Sequence, residues 1–522
     1  MKRPMDDFLC PYCFGHINHE LVHFRSAKVE TDPTGILPDE YDPYDEGDVR
    51  RFISRYEGPD KEKRVQRLFE WQRFAPKEDP VYQKFWREHG GETTEVDSLL
   101  KYSDVRSYNR PIIDPSSLQD RSYLKDQDGG GDVFVRDADG MVVRVELAAG
   151  KRCTSRVCPH CHNPLPSGYG KHPIKFVSVI GITGSGKTVF LSQLLKDMQD
   201  YAAKVGLAAD VRSAASRRFY EQDNVIAVDV PLPDPTPRDS FQQPLFYDLT
   251  RLINGRQRTD TFVLYDVAGE VFEDYQLIQE YAPFIEHSDG LIMLVDPEEL
   301  RQAGEIVAGQ QSMTRPAEVL NQVHTIVFHG KSDEKCKIPF AICITKTDTT
   351  LVQKMLSREL QDCLLDDVHE IVDELGYEKT VFNAREYAPI AEQLNEFIRR
   401  TERAFSLNLR TNYTTYAFFG FTALGCEVDD GVPVGPILPK RIEEPLLWLF
   451  YQLGFIGREG KYPLPNPDPI KCPNPACGSI DTVELTGDDR YYTTGWGIFK
   501  KKYEVNRLCR ACGHRWMHYE SQ

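Results

Sequence analysis

A chain of 522 residues predicts roughly two to four domains rather than a single core. Its residues are 40% apolar and 27% charged, as in ordinary globular domains, and the formal net charge of −17 argues against non-specific nucleic-acid binding by the whole molecule. No apolar run is long enough to cross a bilayer, and the first residues lack the apolar stretch of a signal peptide. We therefore expect a cytoplasmic protein without membrane contact, in which thirteen cysteines favour metal ligands over disulfides.

Two close cysteine pairs in the first third of the chain predict a zinc site. Cys10-Pro11-Tyr12-Cys13 and Cys158-Pro159-His160-Cys161 both have the C-P-x-C form of a zinc knuckle, whose tight turn directs two thiolates at one tetrahedral ion. We expect the two pairs to form one closed, structural Cys₄ site, although 144 residues separate them. The alternatives are a local site made by the first pair with two of His16, His19 and His23, and no metal at all; Cys153 and His162 could also substitute as ligands.

The insertion between the two cysteine pairs carries weaker signals. Residues 31–48 include seven acidic residues, three prolines and no basic residue, which predicts a solvated, disordered loop. Residues 61–88 have aromatic and aliphatic residues at near-helical spacing, which predicts one or two amphipathic helices that break near Pro76 and Pro80. Alternating sequence on both sides of Asp137-Ala138-Asp139-Gly140 predicts a hairpin that leads into the second cysteine pair.

From about residue 171 the pattern changes to strands that alternate with helices, which predicts a parallel α/β sheet. The stretch GITGSGKT at 181–188 fits the phosphate-binding pattern G-x-x-x-x-G-K-[ST], with an apolar strand before it and helical spacing after it. Its backbone N–H groups are expected to surround phosphate oxygens, Lys187 to reach the β- and γ-phosphates, and the Thr188 hydroxyl to bind Mg²⁺. The predicted nucleotide contacts of this loop are Gly181, Thr183, Gly184, Ser185, Gly186, Lys187, Thr188 and Val189.

Three further motifs each follow an apolar strand. The run 261–266, which 244–250 is predicted to pair with antiparallel, ends in Asp266, placed to hold Mg²⁺; the N–H of Gly269 can approach a γ-phosphate. The run 340–344 leads to Thr345-Lys346-Thr347-Asp348, in which Asp348 can accept two hydrogen bonds from guanine and Lys346 can pack along the base. The run 416–421 leads to Thr422-Ala423-Leu424, where a backbone amide can meet the guanine O6 atom.

The last fifty residues predict a second zinc module. A proline-rich linker at 463–469 precedes Cys472 and Cys477, and strand-like sequence separates this pair from Cys509 and Cys512. That spacing is typical of a zinc ribbon with a structural Zn²⁺ ion. Residues 471–522 hold eight Lys or Arg and six Asp or Glu, so nucleic-acid binding is considered for this region alone, through 500–502 and nearby aromatic residues. A solvated face or a protein contact is the favoured interpretation.

The motifs GITGSGKT, DVAG, TKTD and TAL, in this order, resemble the guanine-nucleotide-binding domain of the TRAFAC-class GTPases, the Ras-like and translation-factor group. The resemblance covers roughly residues 171–455 and implies GTP or GDP and Mg²⁺ as ligands. It also implies a switch I threonine that binds Mg²⁺ and senses the γ-phosphate. Our candidate is Thr236, with Ser240 and Thr250 as competitors.

The sequence departs from the family pattern at three positions. Thr345 replaces the usual asparagine, which removes one tie between the base-binding loop and the phosphate loop. Thr183 stands where Ras-like proteins have glycine, which leaves less space for an arginine finger from a partner. Glu270 stands where many relatives have a glutamine that orients the attacking water, so we expect slow hydrolysis without a partner; the alternative is that Glu270 is only a solvated acid.

The predicted fold class is α/β. A P-loop GTPase domain at 171–458, with a mostly parallel sheet and helices on both faces, is flanked by a split zinc ribbon with an inserted module at 1–170 and a second ribbon at 470–522. The arrangement is also similar to bacterial GTPases with flanking zinc ribbons, related to double-GTPase families of conflict systems that work with a second GTPase.

The predicted function is a GTP-binding switch that hydrolyses GTP with Mg²⁺, helped by Lys187, Thr236, Gly269 and Glu270. Two structural Zn²⁺ ions and protein partners, which include an effector, an activator or a second GTPase, complete the prediction, with the ribbons as docking modules. Two alternatives remain open: an ATPase in which TKTD is coincidental, and a non-catalytic zinc-ribbon interaction protein that a nucleotide merely stabilises.

Overall fold

The structure is a computed structural model of the chain. It describes residues 7–19, 21–25, 46–58, 61–62, 79–89, 112–114, 134–138, 140–147, 151–182, 184–234, 243–253, 256–273, 275–300, 316–329, 335–365, 381–459, 472–477, 482–484, 490–492, 502–509 and 512–521. The predicted break at Pro76, the linker at 463–469, and Thr183, Thr236 and Ser240 therefore lie outside the described residues.

The N-terminal region consists of short strands and two helices. Its elements are β1 (Asp7–Leu9), β2 (His16–Asn18), β3 (His23–Arg25), α1 (Glu46–Arg55), α2 (Pro80–His89), β4 (Ile112–Ile113), β5 (Phe134–Arg136), β6 (Val142–Leu147), β7 (Lys151–Cys153) and β8 (Ser155–Val157). β1 pairs with β2 around the first cysteine pair, and β3 pairs with both β4 and β8. β3 and β8 thereby bring the two halves of the zinc ribbon together.

Among the described residues of the insertion, the hairpin and a helix that begins at Pro80 are confirmed, and the acidic loop ends earlier than predicted; residues 31–45 and 63–78, on which the rest of these predictions fall, lie outside the described residues. β5 and β6 form the predicted antiparallel hairpin, in which the Asp137 N–H donates to the Met141 carbonyl at 3.0 Å. α2 begins at Pro80. Proline suits the first position of a helix, because the N–H group that it lacks would have no acceptor within the helix there. The acidic loop does not reach Asp48, because α1 begins at Glu46, and acidic residues suit the positive end of a helix dipole.

The central region alternates strands and helices as predicted. Its strands are β9 (Ile174–Gly181), β10 (Ala208–Val211), β11 (Leu245–Ile253), β12 (Arg256–Asp266), β13 (Gly290–Val295), β14 (Phe340–Ile344), β15 (Val381–Asn383), β16 (Tyr416–Gly420), β17 (Val428–Asp429), β18 (Val432–Pro433) and β19 (Gly457–Glu459). Its α-helices are α3 (Lys187–Lys196), α4 (Met198–Lys204), α5 (Ala214–Arg218), α6 (Tyr275–Tyr281), α7 (Pro316–Val327), α8 (Thr350–Met355), α9 (Arg358–Leu365), α10 (Ala384–Thr401), α11 (Arg403–Asn412) and α12 (Glu444–Gln452).

A seven-stranded sheet organises this region, in the order β10-β11-β12-β9-β13-β14-β16. The five strands from β12 to β16 in this order run parallel, and β11 lies antiparallel between β10 and β12. Parallel strands present their carboxyl ends at one edge, which is where open α/β sheets bind ligands. The predicted fold class is therefore confirmed by the topology.

Both faces of the sheet are covered, which explains why its inner strands are continuous apolar runs. Successive residues of a strand point to opposite faces, so Phe176 and Ile180 of β9 join one core and Val177 and Val179 join the other. The second core is filled by α3 and α12, and it holds the fully buried Trp448. α7 and α11 pack on the first core together with the N-terminal zinc ribbon.

The C-terminal region is a small antiparallel sheet. Its strands are β20 (Thr482–Glu484), β21 (Arg490–Tyr492), β22 (Lys502–Cys509) and β23 (Arg515–Ser521), with β22 paired to the other three. This is the layout that the cysteine spacing predicts. Among all the helices described, none combines the length and apolar character that a bilayer span requires.

Candidate nucleotide-binding site and metal centres

A cavity of about 450 Å³ lies at the carboxyl ends of the parallel strands. Its volume falls within the range of small-molecule sites, roughly 300 to 1,000 Å³. Four predicted motifs contribute to its wall, through Gly184, Ser185, Gly186, Lys187, Thr188, Val189, Gly269, Glu270, Thr345, Lys346, Asp348, Thr422, Ala423 and Leu424. Gly181 and Asp266 end β9 and β12 beside this cavity without forming part of its lining.

The phosphate loop has the backbone that its glycines permit. Gly181 has a φ of 155°, and a Cβ atom there would lie 2.7 Å from the Leu294 carbonyl oxygen. Gly184 and Gly186 have φ values of 82° and 83°, in the left-handed region. Gly186 precedes the first turn of α3, whose N–H groups lack partners within the helix and whose first residues line the cavity. The loop therefore presents donors and the positive end of a helix dipole to an anion.

Lys187 is held against this loop. Its side chain is buried, and Nζ donates to the carbonyl oxygens of Gly181 at 2.9 Å and Ile182 at 3.0 Å. The Ser185 hydroxyl closes the same turn by donating to the Ile182 carbonyl at 2.7 Å. The ammonium group thus already lies in the loop where phosphate oxygens would be bound, and it can exchange carbonyl partners for them.

The base-binding loop is anchored to the neighbouring strand instead of to the phosphate loop. The Thr345 N–H donates to the Val295 carbonyl at 3.0 Å, and its hydroxyl approaches the same oxygen at 3.4 Å. Lys346 has a φ of 55°, and its Nζ donates to the Asp296 carboxylate at 2.6 Å. Asp296 is buried and also accepts the Glu298 N–H at 3.0 Å.

Sequence reasoning missed Asp296 as part of this site. It follows the apolar strand β13 directly, as Asp266 follows the core of β12, and that shared pattern was the signal. An acidic residue at the carboxyl end of a buried parallel strand reaches the ligand edge of the sheet. Here it holds the lysine of the base-binding loop.

The TKTD and TAL loops come together in the structure. The Thr347 N–H donates to the Phe421 carbonyl at 3.4 Å, and the Phe421 N–H donates to the Ile344 carbonyl at 3.0 Å. The Phe421 ring stacks on Phe190 of α3, with 4.9 Å between ring centroids. Asp348 is half-buried in the cavity wall. The predicted guanine contacts, Asp348 and 422–424, therefore share one end of the cavity.

The switch regions are partly described. Glu270 lies half-buried in the cavity wall, in the 3₁₀ turn Gly269–Glu273. Leu232, Pro233 and Asp234 also line the cavity, and the Leu232 N–H donates to the Gly431 carbonyl at 2.8 Å. Thr236 follows them closely in sequence, outside the described residues, so its role stays a prediction.

Thr250 is wrong as a candidate for the switch I threonine. It lies inside β11 opposite Thr259, and the two hydroxyls are 2.9 Å apart. At about 3.3 Å per residue, Thr259 lies roughly 20 Å along β12 from Asp266. A hydroxyl at that end of the sheet cannot reach an ion bound beside Asp266.

Two Cys₄ clusters are present among the described residues. In each, the four sulfur atoms lie within 4.8 Å of one another: Cys10, Cys13, Cys158 and Cys161, and Cys472, Cys477, Cys509 and Cys512. Each cluster contains two pairs of sulfur atoms that are 3.7 Å apart. A tetrahedral zinc ion with Zn–S bonds of about 2.3 Å requires sulfur atoms roughly 3.8 Å apart, so both clusters fit Zn²⁺.

The pairing of the N-terminal ligands is therefore the long-range one, and the local Cys/His alternative is wrong. His16 instead lies 3.0 Å from the Asp7 carboxylate. Each knuckle has an N–H directed at sulfur, from Tyr12 to Cys10 at 3.4 Å and from His160 to Cys158 at 3.3 Å. Burial raises the pKa of the Cys10 thiol, and the positive charge of a bound metal ion would favour its thiolate form.

Comparison with known proteins places the central region in a family. Residues 175–402 match the family model described as Double-GTPase 2. This region is a double-GTPase-family domain. The match confirms the resemblance to P-loop GTPases seen in the motifs, and it supports a GTP-binding protein.

One curated relative is the putative ESX-1 scaffolding and assembly protein SaeC of Mycolicibacterium smegmatis. The two chains are 26% identical over 187 residues, which is 34% of this chain and 48% of the relative. The match therefore spans about half the length of that relative.

Solved structures that resemble the chain include the small GTPase Arl6 BBS3 of Trypanosoma brucei with the nucleotide analogue GppNp. It is 10% identical, covers 54% of this chain and 99% of its own, and has a TM-score of 0.24. The GTPase-like domain of Ski7 from S. cerevisiae, bound to GTP, is 13% identical, covers 65% and 58% and has a TM-score of 0.26. At such scores these similarities carry no structural argument, and the fold rests on its own topology.

Proposed function

We propose that the protein is a molecular switch that binds GTP with Mg²⁺ and hydrolyses it slowly to GDP and phosphate. The observation that carries this proposal is the convergence of the phosphate loop, the Gly269 turn and the TKTD and TAL loops on one cavity. The family match of residues 175–402 supports the nucleotide class. Each motif alone is compatible with several functions, whereas their common cavity has room for one nucleotide.

In this proposal the chain positions the γ-phosphate and the attacking water. Lys187 exchanges its bonds to the Gly181 and Ile182 carbonyls for phosphate oxygens, where its charge stabilises the transition state. The Gly269 N–H meets the γ-phosphate. The donor set for Mg²⁺ is the Thr188 hydroxyl, the Asp266 carboxylate and Thr236; the bound ion would neutralise charge on the β- and γ-phosphates.

Glu270 accounts for the slow rate. A carboxylate in the cavity wall can orient water, but the phosphates repel it, whereas the amide of a glutamine carries no charge. We therefore assign Glu270 a weak water-orienting role.

Nucleotide competition tests the base assignment. We expect the wild type to bind GTP and GDP far more tightly than ATP, because Asp348 accepts from guanine N1 and N2 and adenine offers no such donor pair. Asp348→Asn should shift the preference toward xanthosine nucleotides, whose O2 atom can accept from an amide. Equal binding of ATP and GTP by the wild type would contradict the proposal and favour a P-loop ATPase.

Turnover is tested separately. Multiple-turnover phosphate release that Lys187→Ala abolishes would support hydrolysis by this site. Guanine-selective binding without any turnover would instead support the non-catalytic interaction protein, in which nucleotide is a structural ligand.

We also propose protein partners, which include a second GTPase, and a cytoplasmic location. Because the N-terminal ribbon packs on the first core, we assign a docking role to the C-terminal ribbon and to exposed aliphatic side chains such as Val428, which lines the cavity, Val434 and Leu438. The description of SaeC as a scaffolding and assembly protein makes an assembly role a reasonable extension. Co-purification that is equal from the GDP-loaded protein and from the protein loaded with a non-hydrolysable GTP analogue would oppose a switch.

A further inference from the structure

A buried hydrogen bond connects the N-terminal zinc knuckle to the strand that carries Asp266. Tyr265 precedes Asp266 at the end of β12, and its side chain is fully buried. Its hydroxyl donates to the Pro11 carbonyl at 2.8 Å. Pro11 lies between the ligands Cys10 and Cys13, so one side-chain contact separates the zinc site from the predicted Mg²⁺ ligand.

The Tyr265 ring is fixed by the residues around it. It stacks on Phe284 with 4.3 Å between ring centroids and an interplanar angle of 6°. Phe14, at the end of the first knuckle, lies 6.0 Å from Tyr265 and stacks on His287 at 4.8 Å. Because the Pro11 carbonyl oxygen can only accept, the Tyr265 hydroxyl is the donor in this bond. The hydroxyl therefore has little freedom to choose another acceptor.

Pro11 lies within the turn that carries Cys10 and Cys13. The knuckle turn is closed by the Cys10 N–H, which donates to the Gly15 carbonyl at 3.0 Å, and by the Phe14 N–H, which donates to the Cys10 carbonyl at 3.1 Å. Both cysteines that flank Pro11 belong to the Cys₄ cluster. Without a bound ion, the thiols would either carry like charges or be protonated. No metal–sulfur bonds would then hold Cys10 and Cys13 at their present separation.

We propose that Tyr265 is a positioning residue through which the N-terminal zinc knuckle sets the place of Asp266 in the nucleotide site. The bond to Pro11 fixes the end of β12, and Asp266 follows in the next position. This inference rests on the proposed function, because it takes Asp266 as a Mg²⁺ ligand. It gives the N-terminal ribbon a role inside the switch instead of a docking role.

Tyr265→Phe tests the link, with Tyr169→Phe as the matched control. Tyr169 is also buried, and its hydroxyl also donates to a ribbon carbonyl, that of Leu9, at 3.0 Å, but it does not lie on β12. The measurement is the Mg²⁺ concentration that half-saturates GTP binding, together with the zinc content of each protein. Loss of one buried hydrogen bond predicts about a 3- to 10-fold higher Mg²⁺ requirement for Tyr265→Phe, with zinc content unchanged.

The control should show little change in its Mg²⁺ requirement even if its melting temperature falls. Equal shifts in the two variants, or none in Tyr265→Phe, would overturn the proposal. A wild type that binds GTP without any dependence on Mg²⁺, or does not bind it, would instead contradict the proposed function.

The zinc half of the proposal is tested with Cys13→Ser and Cys477→Ser, which each remove one half-buried ligand from one of the two clusters. Cys13→Ser should raise the Mg²⁺ requirement, and combining it with Tyr265→Phe should add little, because both changes break the same path. Cys477→Ser should leave the requirement unchanged. Full additivity of the two N-terminal changes would refute a shared path, and Tyr265→Phe remains decisive if Cys13→Ser fails to fold.

Discussion

The pair formed by Lys346 and Asp296 gives a prediction that separates base binding from stability. Asp296→Asn keeps an acceptor for the Glu298 N–H but removes the charge that holds Lys346 Nζ at 2.6 Å. In the wild type the lysine is already ordered before a nucleotide binds. In the variant, binding has to order it.

The magnitude follows from the freedom that the lysine regains. Ordering a long, partly exposed side chain costs about 1 to 2 kcal/mol, which corresponds to about a 5- to 30-fold weaker affinity for GDP. The Lys346 side chain is 38% exposed and the Asp296 side chain 4% exposed, so the anchor is buried while the lysine stem remains accessible to a base. We expect the loss to appear in the dissociation constant of fluorescent GDP.

The opposite end of the same strand supplies the matched control. Asp289, just before β13, pairs with Lys175 at 2.6 Å and accepts the Phe176 N–H at 3.0 Å, as Asp296 does for its own partners. Asp289→Asn should therefore lower the melting temperature to a similar extent and leave GDP affinity unchanged. If Asp296→Asn lowers the melting temperature but binds GDP like the wild type, Lys346 is not preorganised for the base.

Two further predictions concern the loop and the metals. Gly181→Ala should abolish detectable GTP binding and lower the melting temperature, because its Cβ atom would lie 2.7 Å from a backbone oxygen at a φ of 155°. Gly168→Ala, with a φ of 81° and open space around it, is the control for backbone strain alone. Normal GTP binding by Gly181→Ala would contradict the loop geometry. A thiol-reactive reagent should release two zinc ions per chain, which a colorimetric zinc indicator detects in two phases. The C-terminal ion should be released first, since Cys512 is exposed while Cys10 is fully buried. Cys477→Ser should remove the fast phase, and release of both ions in a single phase would refute this order.

The motifs of the central region were predictable because each is a local object. A buried strand, a glycine-rich turn and a helix start within fifteen residues leave a pattern in the sequence, and so do TKTD and TAL after their strands. Apolar runs of β-branched residues also predict the parallel sheet, because strands covered on both faces have no polar side to expose. The two zinc knuckles are equally local, since one turn places two thiolates.

Contacts between distant parts of the chain were decided only by the tertiary structure. The C-P-x-C pattern gives two ligands but does not say which other pair completes the metal site. The antiparallel pairing of β3 with β8 brings Cys158 and Cys161, instead of nearby histidines, to the first pair. Likewise, spacing left Thr250 open as a switch residue until the register of β11 put it at the wrong end of the sheet.

The sequence by itself predicted a nucleotide site and two zinc sites, because short turns fix their ligating groups. The tertiary structure decided which distant residues these sites contact. Asp296 accepts a hydrogen bond from Lys346, and the Pro11 carbonyl accepts one from Tyr265. The physical reason is that a buried polar group needs a partner, but the sequence does not say which of many distant groups will provide it. These partners are set when the chain folds with one core on each face of the sheet and with the ribbon packed on one of those faces.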